Sequence, residues 1–217
     1  MTHARYSWTD KLCLGIDQAV RALADNVKTT SRPYPADTLP KSELAILDPT
    51  QQKQAAALMR INHAGEICAQ ALYHGQGLAS RNYHVQEKMR EAAIEEGDHL
   101  AWCKRRLDDL GSHTSYLNPL WYSGSFMIGA LAGLLGDRWS LGFVAETECQ
   151  VVNHLQNHLQ ALPAEDKQSH LVLQQMQQDE AQHRDSAIQS GAQELPGWVK
   201  KLMTLTSKIM VKCAYWI

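Results

Sequence analysis

The chain has 217 residues, of which 44% are hydrophobic and 20% are charged, and its formal net charge is −2. This length is enough for one well-buried domain, and the near-neutral charge, without a basic stripe, argues against a nucleic-acid surface. The five cysteines include no Cys-x-x-Cys pair and the N-terminus lacks an apolar signal core, so we expect reduced thiols in the cytosol and no export.

The first predicted elements are a helix and an irregular connection. Thr9 and Asp10 can cap a helix that runs to about Asn26. Its apolar residues fall on one stripe, made of Leu12, Ile16, Val20 and Leu23. Residues 28–40 contain three prolines, which is typical of an irregular connection. We therefore predict that residues 1–45 form an N-terminal helix and a linker ahead of the rest of a single domain.

Four longer helices are predicted next, and together they form a bundle over residues 48–190. Asp48 is a good helix cap, and Pro49 suits the first helical position. Their caps and stop signals place the helices at about residues 48–80, 84–110, 139–162 and 164–190. In chain order they carry Glu66, then Glu96 with His99, then Glu148, then Glu180 with His183.

A Glu-x-x-His motif occurs twice, each time after a lone glutamate about thirty residues upstream. Residues three apart on a helix share a face, so Glu96 and His99 can reach one metal ion. Four carboxylates and two imidazoles on four helices are the ligand set of a two-iron centre in a ferritin-like bundle. Manganese would fit the same ligand types. The alternative is a set of surface glutamates with incidental histidines, which does not explain Glu66 in an almost uncharged run.

One position in this pattern stays open. Residues 145–149 contain both Glu146 and Glu148, which differ by roughly 200° around a helix. Helix geometry alone therefore does not decide which of the two faces the centre.

The segment 112–136 contains no Asp, Glu, Lys or Arg. Its length could span a bilayer, but Asn118, Pro119 and four glycines dilute its apolar character. We expect a helix that lies in a membrane interface or lines an apolar tunnel. The alternative is a crossover between the two halves of the bundle, packed against the core.

The last segment, residues 195–217, is predicted to be an amphipathic helix. Its apolar stripe consists of Trp198, Leu202, Leu205, Ile209, Cys213 and Trp216. Lys201, Lys208 and Lys212 lie beside that stripe, where long lysine side chains can reach lipid headgroups. The alternative is a final helix that closes the bundle, but the two apolar segments together favour membrane contact.

Three motifs, in this order, resemble those of the demethoxyubiquinone hydroxylases of ubiquinone biosynthesis. They are residues 62–66 (Asn-His-Ala-Gly-Glu), 95–100 (Glu-Glu-Gly-Asp-His-Leu) and 179–183 (Asp-Glu-Ala-Gln-His). The resemblance covers about residues 50–190 and continues more loosely to the C-terminus. It implies an all-α, ferritin-like four-helix bundle with additional N-terminal, crossover and C-terminal helices.

The resemblance also implies an O₂-dependent di-iron monooxygenase that hydroxylates the ring of a polyprenylated methoxy-methyl-benzoquinol. The implied ligands of the two iron ions are Glu66, Glu96, His99, Glu148, Glu180 and His183, with Glu148 favoured by the family spacing to His154. Tyr73 and His154 are supporting candidates near the site. Asp98 and Asp179 are candidates to orient the ligand histidines.

We expect a peripheral protein at the cytoplasmic face of the cell membrane, which takes its prenylated substrate from lipid. Segment 112–136 is the candidate route for the prenyl tail. A homo-oligomer and protein partners from ubiquinone biosynthesis both stay open. The alternative function is that of another ferritin-like protein, such as a ferroxidase, a peroxide-removing protein or an iron-binding protein.

Overall fold

The computed structural model describes residues 7–24, 26–44 and 46–217. Within these ranges the chain forms seven α-helices and no strand, which confirms the all-α prediction. The helices are α1 (Trp8–Leu23), α2 (Pro49–Ala79), α3 (Tyr83–Asp109), α4 (Asn118–Leu134), α5 (Asp137–Ala161), α6 (Lys167–Gln189) and α7 (Gly197–Trp216). Two short 3-10 helices, Pro35–Thr38 and Lys41–Glu43, lie in the linker between α1 and α2.

Helix α1 begins earlier than predicted, because Ser7 caps it. The Ser7 hydroxyl accepts a hydrogen bond from the Asp10 amide at 3.1 Å, and the Asp10 carboxylate accepts one from the Ser7 amide at 2.9 Å. This reciprocal pair is a capping box. The predicted cap at Thr9 and Asp10 was therefore wrong. Ile16 and Val20 of the predicted stripe are exposed, and the Leu12 side chain lies outside the described residues.

The four bundle helices are α2, α3, α5 and α6. They pack in two pairs, α2 against α3 and α5 against α6. As predicted, Asp48 caps α2 by accepting hydrogen bonds from two backbone amides, with Pro49 in the first turn. Helix α6 begins at Lys167, three residues after the predicted start, because Asp166 caps it through the Ser169 amide at 3.0 Å. The four helices form a ferritin-like bundle.

Two apolar clusters fill this bundle on either side of its middle. One cluster includes Met59, Leu107, Leu155 and Met176. The other includes Tyr73, Met89, Leu141 and Val144. On each of the four helices the predicted ligand positions lie between residues of the two clusters, so those side chains meet in a region sealed at both ends.

The uncharged segment forms α4, which packs closely against α2. A Cβ atom on Gly129 would lie 2.3 Å from the Leu72 carbonyl oxygen, so the two backbones approach as only glycine allows. The opposite face of α4 is exposed and carries Met127, Leu131 and Leu134. None of the helices in the described ranges combines the length and the apolar character needed to cross a bilayer.

Helix α7 packs against α2 mainly through its C-terminal end. Arg60 on α2 donates a hydrogen bond to the Tyr215 carbonyl oxygen at 3.0 Å, and Ala214 is buried. The predicted apolar stripe does not close the bundle, because most of it is exposed at Trp198, Leu202, Leu205, Ile209 and Trp216.

Candidate metal centre

The six predicted ligands lie in the middle of the bundle, and α2, α3, α5 and α6 each contribute at least one of them. Five are at most 3% exposed, namely Glu66, Glu96, His99, Glu148 and Glu180. The side chain of His183 is 12% exposed. Buried carboxylates at this density are stable only when protons, hydrogen bonds or cations compensate them.

His99 lies at the point where three of these carboxylates converge. Its Nδ1 atom is 3.0 Å from Oε2 of Glu96 and 3.0 Å from Oε1 of Glu180. Oε2 of Glu66 lies 3.7 Å from the same nitrogen. These four residues offer ligand atoms that all lie within 4.8 Å of one another, a spacing that suits a bound metal ion.

His183 faces two of the same carboxylates from the other side. Its Nδ1 atom lies 3.1 Å from Oε2 of Glu180 and 3.3 Å from Oε1 of Glu96. Glu96 and Glu180 therefore each face both imidazoles, one with each oxygen. A carboxylate in this position can be shared between two metal ions.

Glu148 approaches the centre from α5. Its carboxylate accepts a hydrogen bond from the Tyr73 hydroxyl at 2.5 Å. Burial raises the pKa of Glu148 well above its usual value, and the negative charges of Glu180 and Glu96 raise it further. Glu146 instead lies 3.4 Å from the Lys200 ammonium at the α7 side. Of the two glutamates left open by the sequence, Glu148 is the one directed into the centre.

Each imidazole is held from outside by an acidic residue of the opposite motif. Nε2 of His99 lies 2.9 Å from Oδ2 of Asp179, and Nε2 of His183 lies 2.6 Å from Oε2 of Glu95. These contacts direct both Nδ1 atoms inward, as carboxylates behind ligand histidines commonly do. Asp179 was predicted in this role, whereas Glu95 was missed. The signal was present, because both motifs have the form acidic-Glu-x-x-His.

Asp98 does not hold a histidine, so its predicted role was wrong. It accepts hydrogen bonds from the Thr30 amide at 3.1 Å and from Nε of Arg32 at 3.0 Å. The residue directly follows Gly97 and points toward the linker between α1 and α2. Its carboxylate therefore contacts the linker rather than either imidazole.

The ionisation of the centre follows from its crowded carboxylates. Burial raises the pKa of Glu66 well above its usual value, and the charge of Glu96 adds to this effect. For Glu96 itself, burial opposes ionisation, but the charges of His99 and His183 hold its pKa below the usual range. Burial works against a charged His99, yet Glu180 and Glu96 raise the pKa of this imidazole well above its ordinary value.

The residues fit a pair of divalent cations. In the described part of the chain, Oε1 of Glu96 and Oε1 of Glu180 accept no well-aligned hydrogen bond, although imidazole nitrogens lie 3.3 and 3.0 Å away. Buried carboxylate oxygens without hydrogen bonds are costly, and a bound cation removes that cost. Imidazole and carboxylate suit iron or manganese.

The second supporting candidate, His154, is a neighbour of His158 rather than of the centre. The two ring centroids lie 3.9 Å apart, and burial lowers the pKa of His154. Over the ranges that the structure describes, no hydrogen bond or ion pair links His154 to the six residues. Its role in proton or electron transfer stays a prediction.

Comparison with known proteins identifies relatives of nearly the same length. The sequence profile described as "Ubiquinone biosynthesis protein COQ7" matches residues 53–214. A 3-demethoxyubiquinol 3-hydroxylase from Nitrosococcus oceani is 47% identical over 217 residues, covering 100% of both chains. The proteins of the same name from Acinetobacter baumannii and Nitrosospira multiformis are 50% and 52% identical. The alignment with the Acinetobacter protein covers 98% of this chain and 99% of that protein. The alignment with the Nitrosospira protein covers 96% of this chain and 98% of that protein.

Proposed function

Because the chain belongs to the COQ7 family of ubiquinone biosynthesis proteins, we propose that its buried centre binds two iron ions and uses O₂ to hydroxylate the ring of a demethoxyubiquinol. The chain is a hydroxylating monooxygenase of ubiquinone biosynthesis.

One observation carries the assignment of two metal ions. Glu96 and Glu180 each face both imidazoles, which supports two metal positions that would share these carboxylates. Glu66 would complete the position on the His99 side, and Glu148 would complete the position on the His183 side. When bound, two ferrous ions supply coordination positions for O₂ and electrons for its reduction.

The protein residues orient this centre and keep bulk water away from it. Tyr73 donates its hydroxyl hydrogen to Glu148, which fixes the carboxylate on the His183 side. Between α2 and α5, Ala69 and Val144 lie beside Tyr73 and Glu148 at a closely packed seam that has no room for a water molecule. We place the approach of the quinol ring at this seam, where α2 and α5 would have to separate to admit the ring. One oxygen atom of O₂ enters the ring and the other leaves as water, so a donor or the quinol itself supplies two electrons.

We also propose that the protein acts as a peripheral protein at the cytoplasmic face of the membrane. A polyprenyl tail is insoluble in water, so the substrate has to be taken from lipid. The exposed apolar residues of α7, such as Leu202 and Leu205, support this proposal, as do the lysines beside them at 201, 208 and 212. The exposed face of α4 adds a second apolar surface.

The test is activity as a function of iron content. Metal-free protein receives increasing Fe²⁺ without O₂, and each sample is then given a short-chain demethoxyubiquinol analogue and air. We expect product to rise until two iron ions are bound per chain, and Mn²⁺-loaded protein serves as the control. Oxidation of the iron with the quinol unchanged would overturn the proposal in favour of a ferroxidase.

A further inference from the structure

The linker between α1 and α2 reaches the outer side of the metal centre. We call residues 26–40 the linker strap. A Cβ atom on Gly97 would lie 2.0 Å from the Lys28 carbonyl oxygen, so the strap touches α3 where only glycine allows it. The Thr30 amide and hydroxyl both donate hydrogen bonds to Asp98. The strap is therefore fixed to α3 within two residues of His99.

Arg32 of the strap joins the two acidic residues behind His99. Its Nε atom lies 3.0 Å from Oδ2 of Asp98, and its Nη1 atom lies 2.8 Å from Oδ2 of Asp179. The same Asp179 oxygen lies 2.9 Å from Nε2 of His99. The guanidinium also lies over the Trp102 ring, 4.8 Å from its centroid. Arg32 thus fixes Asp179, and Asp179 fixes His99, whose Nε2 atom also lies 3.4 Å from Nη2 of Arg32.

The other imidazole has a weaker support. His183 is held by Glu95, whose side chain is 45% exposed, whereas the Asp179 side chain is only 8% exposed. In the ranges described, no lysine or arginine forms an ion pair with Glu95. An exposed carboxylate that pairs with no lysine or arginine is more strongly screened by water, and less constrained, than a buried carboxylate held by a guanidinium. The two halves of the centre are therefore supported unequally.

We propose that Arg32 is a positioning residue that makes the metal position on the His99 side the tighter of the two. Metal then fills the His99 position first and the His183 position second. Groups behind ligand histidines commonly change metal affinity by roughly 10- to 100-fold, and the difference between the two positions falls in this range. This inference rests on the proposed two-metal centre.

The test is a titration of metal-free protein with Mn²⁺, in which the free ion is counted by its electron paramagnetic resonance signal. The fluorescence of Trp102 reports the His99 position, because the two rings lie 5.4 Å apart. Subtracting the signal of a Trp102→Phe protein isolates it from the other tryptophans. We expect two binding steps in the wild type, with the Trp102 signal following the tighter step.

Three variants separate positioning from general structure. Arg32→Ala should weaken the tighter step about 10- to 100-fold and leave the other step unchanged. Arg32→Lys should restore part of the loss, because an ammonium can still pair with Asp179. Glu95→Gln should weaken only the second step. Because the Glu95 side chain is exposed, this variant should fold, and it tests the unequal support of the two positions independently of Arg32→Ala. Circular dichroism shows whether Arg32→Ala is folded.

The outcomes distinguish this inference from the function it rests on. Two steps of equal affinity, a Trp102 signal that follows the weaker step, or a loss of both steps in Arg32→Ala would overturn the role of Arg32 alone. A wild-type protein that binds no Mn²⁺ and no Fe²⁺ would overturn the proposed centre as well.

Discussion

His99 and Glu180 meet at the centre of the bundle, where Nδ1 of the imidazole lies 3.0 Å from Oε1 of the carboxylate. The two residues belong to different Glu-x-x-His motifs, so this contact joins the two halves of the sequence repeat. The other oxygen of Glu180 lies 3.1 Å from Nδ1 of His183. The Glu180 carboxylate therefore contacts the histidines of both motifs.

Replacing Glu180 by alanine should reduce the binding of both metal ions, because this carboxylate faces both imidazoles. His183→Ala removes a group from one position only, so one ion should remain bound per chain. The measurement is the metal content of anaerobically loaded protein by mass spectrometry, with circular dichroism to confirm a folded bundle. Glu146→Gln is the matched control, since this glutamate faces Lys200, and it should keep two ions. Two tightly bound ions in Glu180→Ala would show that the carboxylate is not shared.

The close contact between α2 and α4 predicts opposite effects for two glycines of the same helix. Gly129→Ala should lower the free energy of unfolding by roughly 1–3 kcal/mol, because the new methyl group meets the Leu72 carbonyl oxygen. Gly124→Ala meets nothing within 4 Å and should raise it by about 0.5–1 kcal/mol, since alanine favours the helix. Urea denaturation of both variants measures the difference. Equal effects would mean that the helices do not approach as closely as described.

Two buried histidines outside the centre predict a loss of stability in acid. Burial lowers the pKa of His74 to about 4, and burial together with the charge of His154 lowers the pKa of His158 to about 3. In the unfolded chain both histidines have a pKa of about 6.5. Between about pH 6.5 and 4 the unfolded state therefore binds more protons than the folded state. The free energy of unfolding therefore falls as the pH drops through this window.

Substitution by glutamine should make this pH dependence shallower. Each of His74→Gln and His158→Gln should remove up to about 1.4 kcal/mol per pH unit from the slope. The measurement is urea denaturation between pH 4.5 and 7 with a chelator present, so that metal release does not contribute. The exposed His84→Gln serves as the control. An unchanged slope in both buried variants would refute their titration in this window.

The apolar face of α7 predicts a defect in lipid binding. Leu205 is 57% exposed on α7, and Ile188 is 55% exposed on α6, so the two offer matched apolar surfaces. Leu205→Gln should weaken binding to vesicles of anionic phospholipid roughly tenfold, the effect of losing one partly buried leucine. Ile188→Gln should leave binding unchanged in the same sedimentation assay. Equal binding by the wild type and Leu205→Gln would argue against α7 as the lipid contact.

The sequence predicted those features that depend on local helix geometry. The three-residue spacing placed Glu96 with His99 and Glu180 with His183, because neighbours on one helix face need no tertiary information. Glu95 and Asp98 are similar acidic residues of one helix. Only the arrangement of α3 against α6 and the linker assigns Glu95 to His183 and Asp98 to the strap.

The missed residue Arg32 illustrates the same limit. It lies in a proline-containing segment that has the sequence of an ordinary connection. Its partner Asp179 is 147 residues further along the chain, so no periodic pattern links the two. The exposed stripe of α7 was predicted as apolar, but only the position of the helix on α2 decided that the stripe faces outward.

A single turnover with labelled oxygen shows whether this protein transfers an oxygen atom from O₂ to the quinol ring. Protein loaded with two Fe²⁺ per chain is mixed with a short-chain demethoxyubiquinol analogue and ¹⁸O₂, and the quinone product is analysed by mass spectrometry. We expect a hydroxylated product that carries one ¹⁸O atom. Unlabelled product, or an unchanged quinol beside oxidised iron, would contradict it.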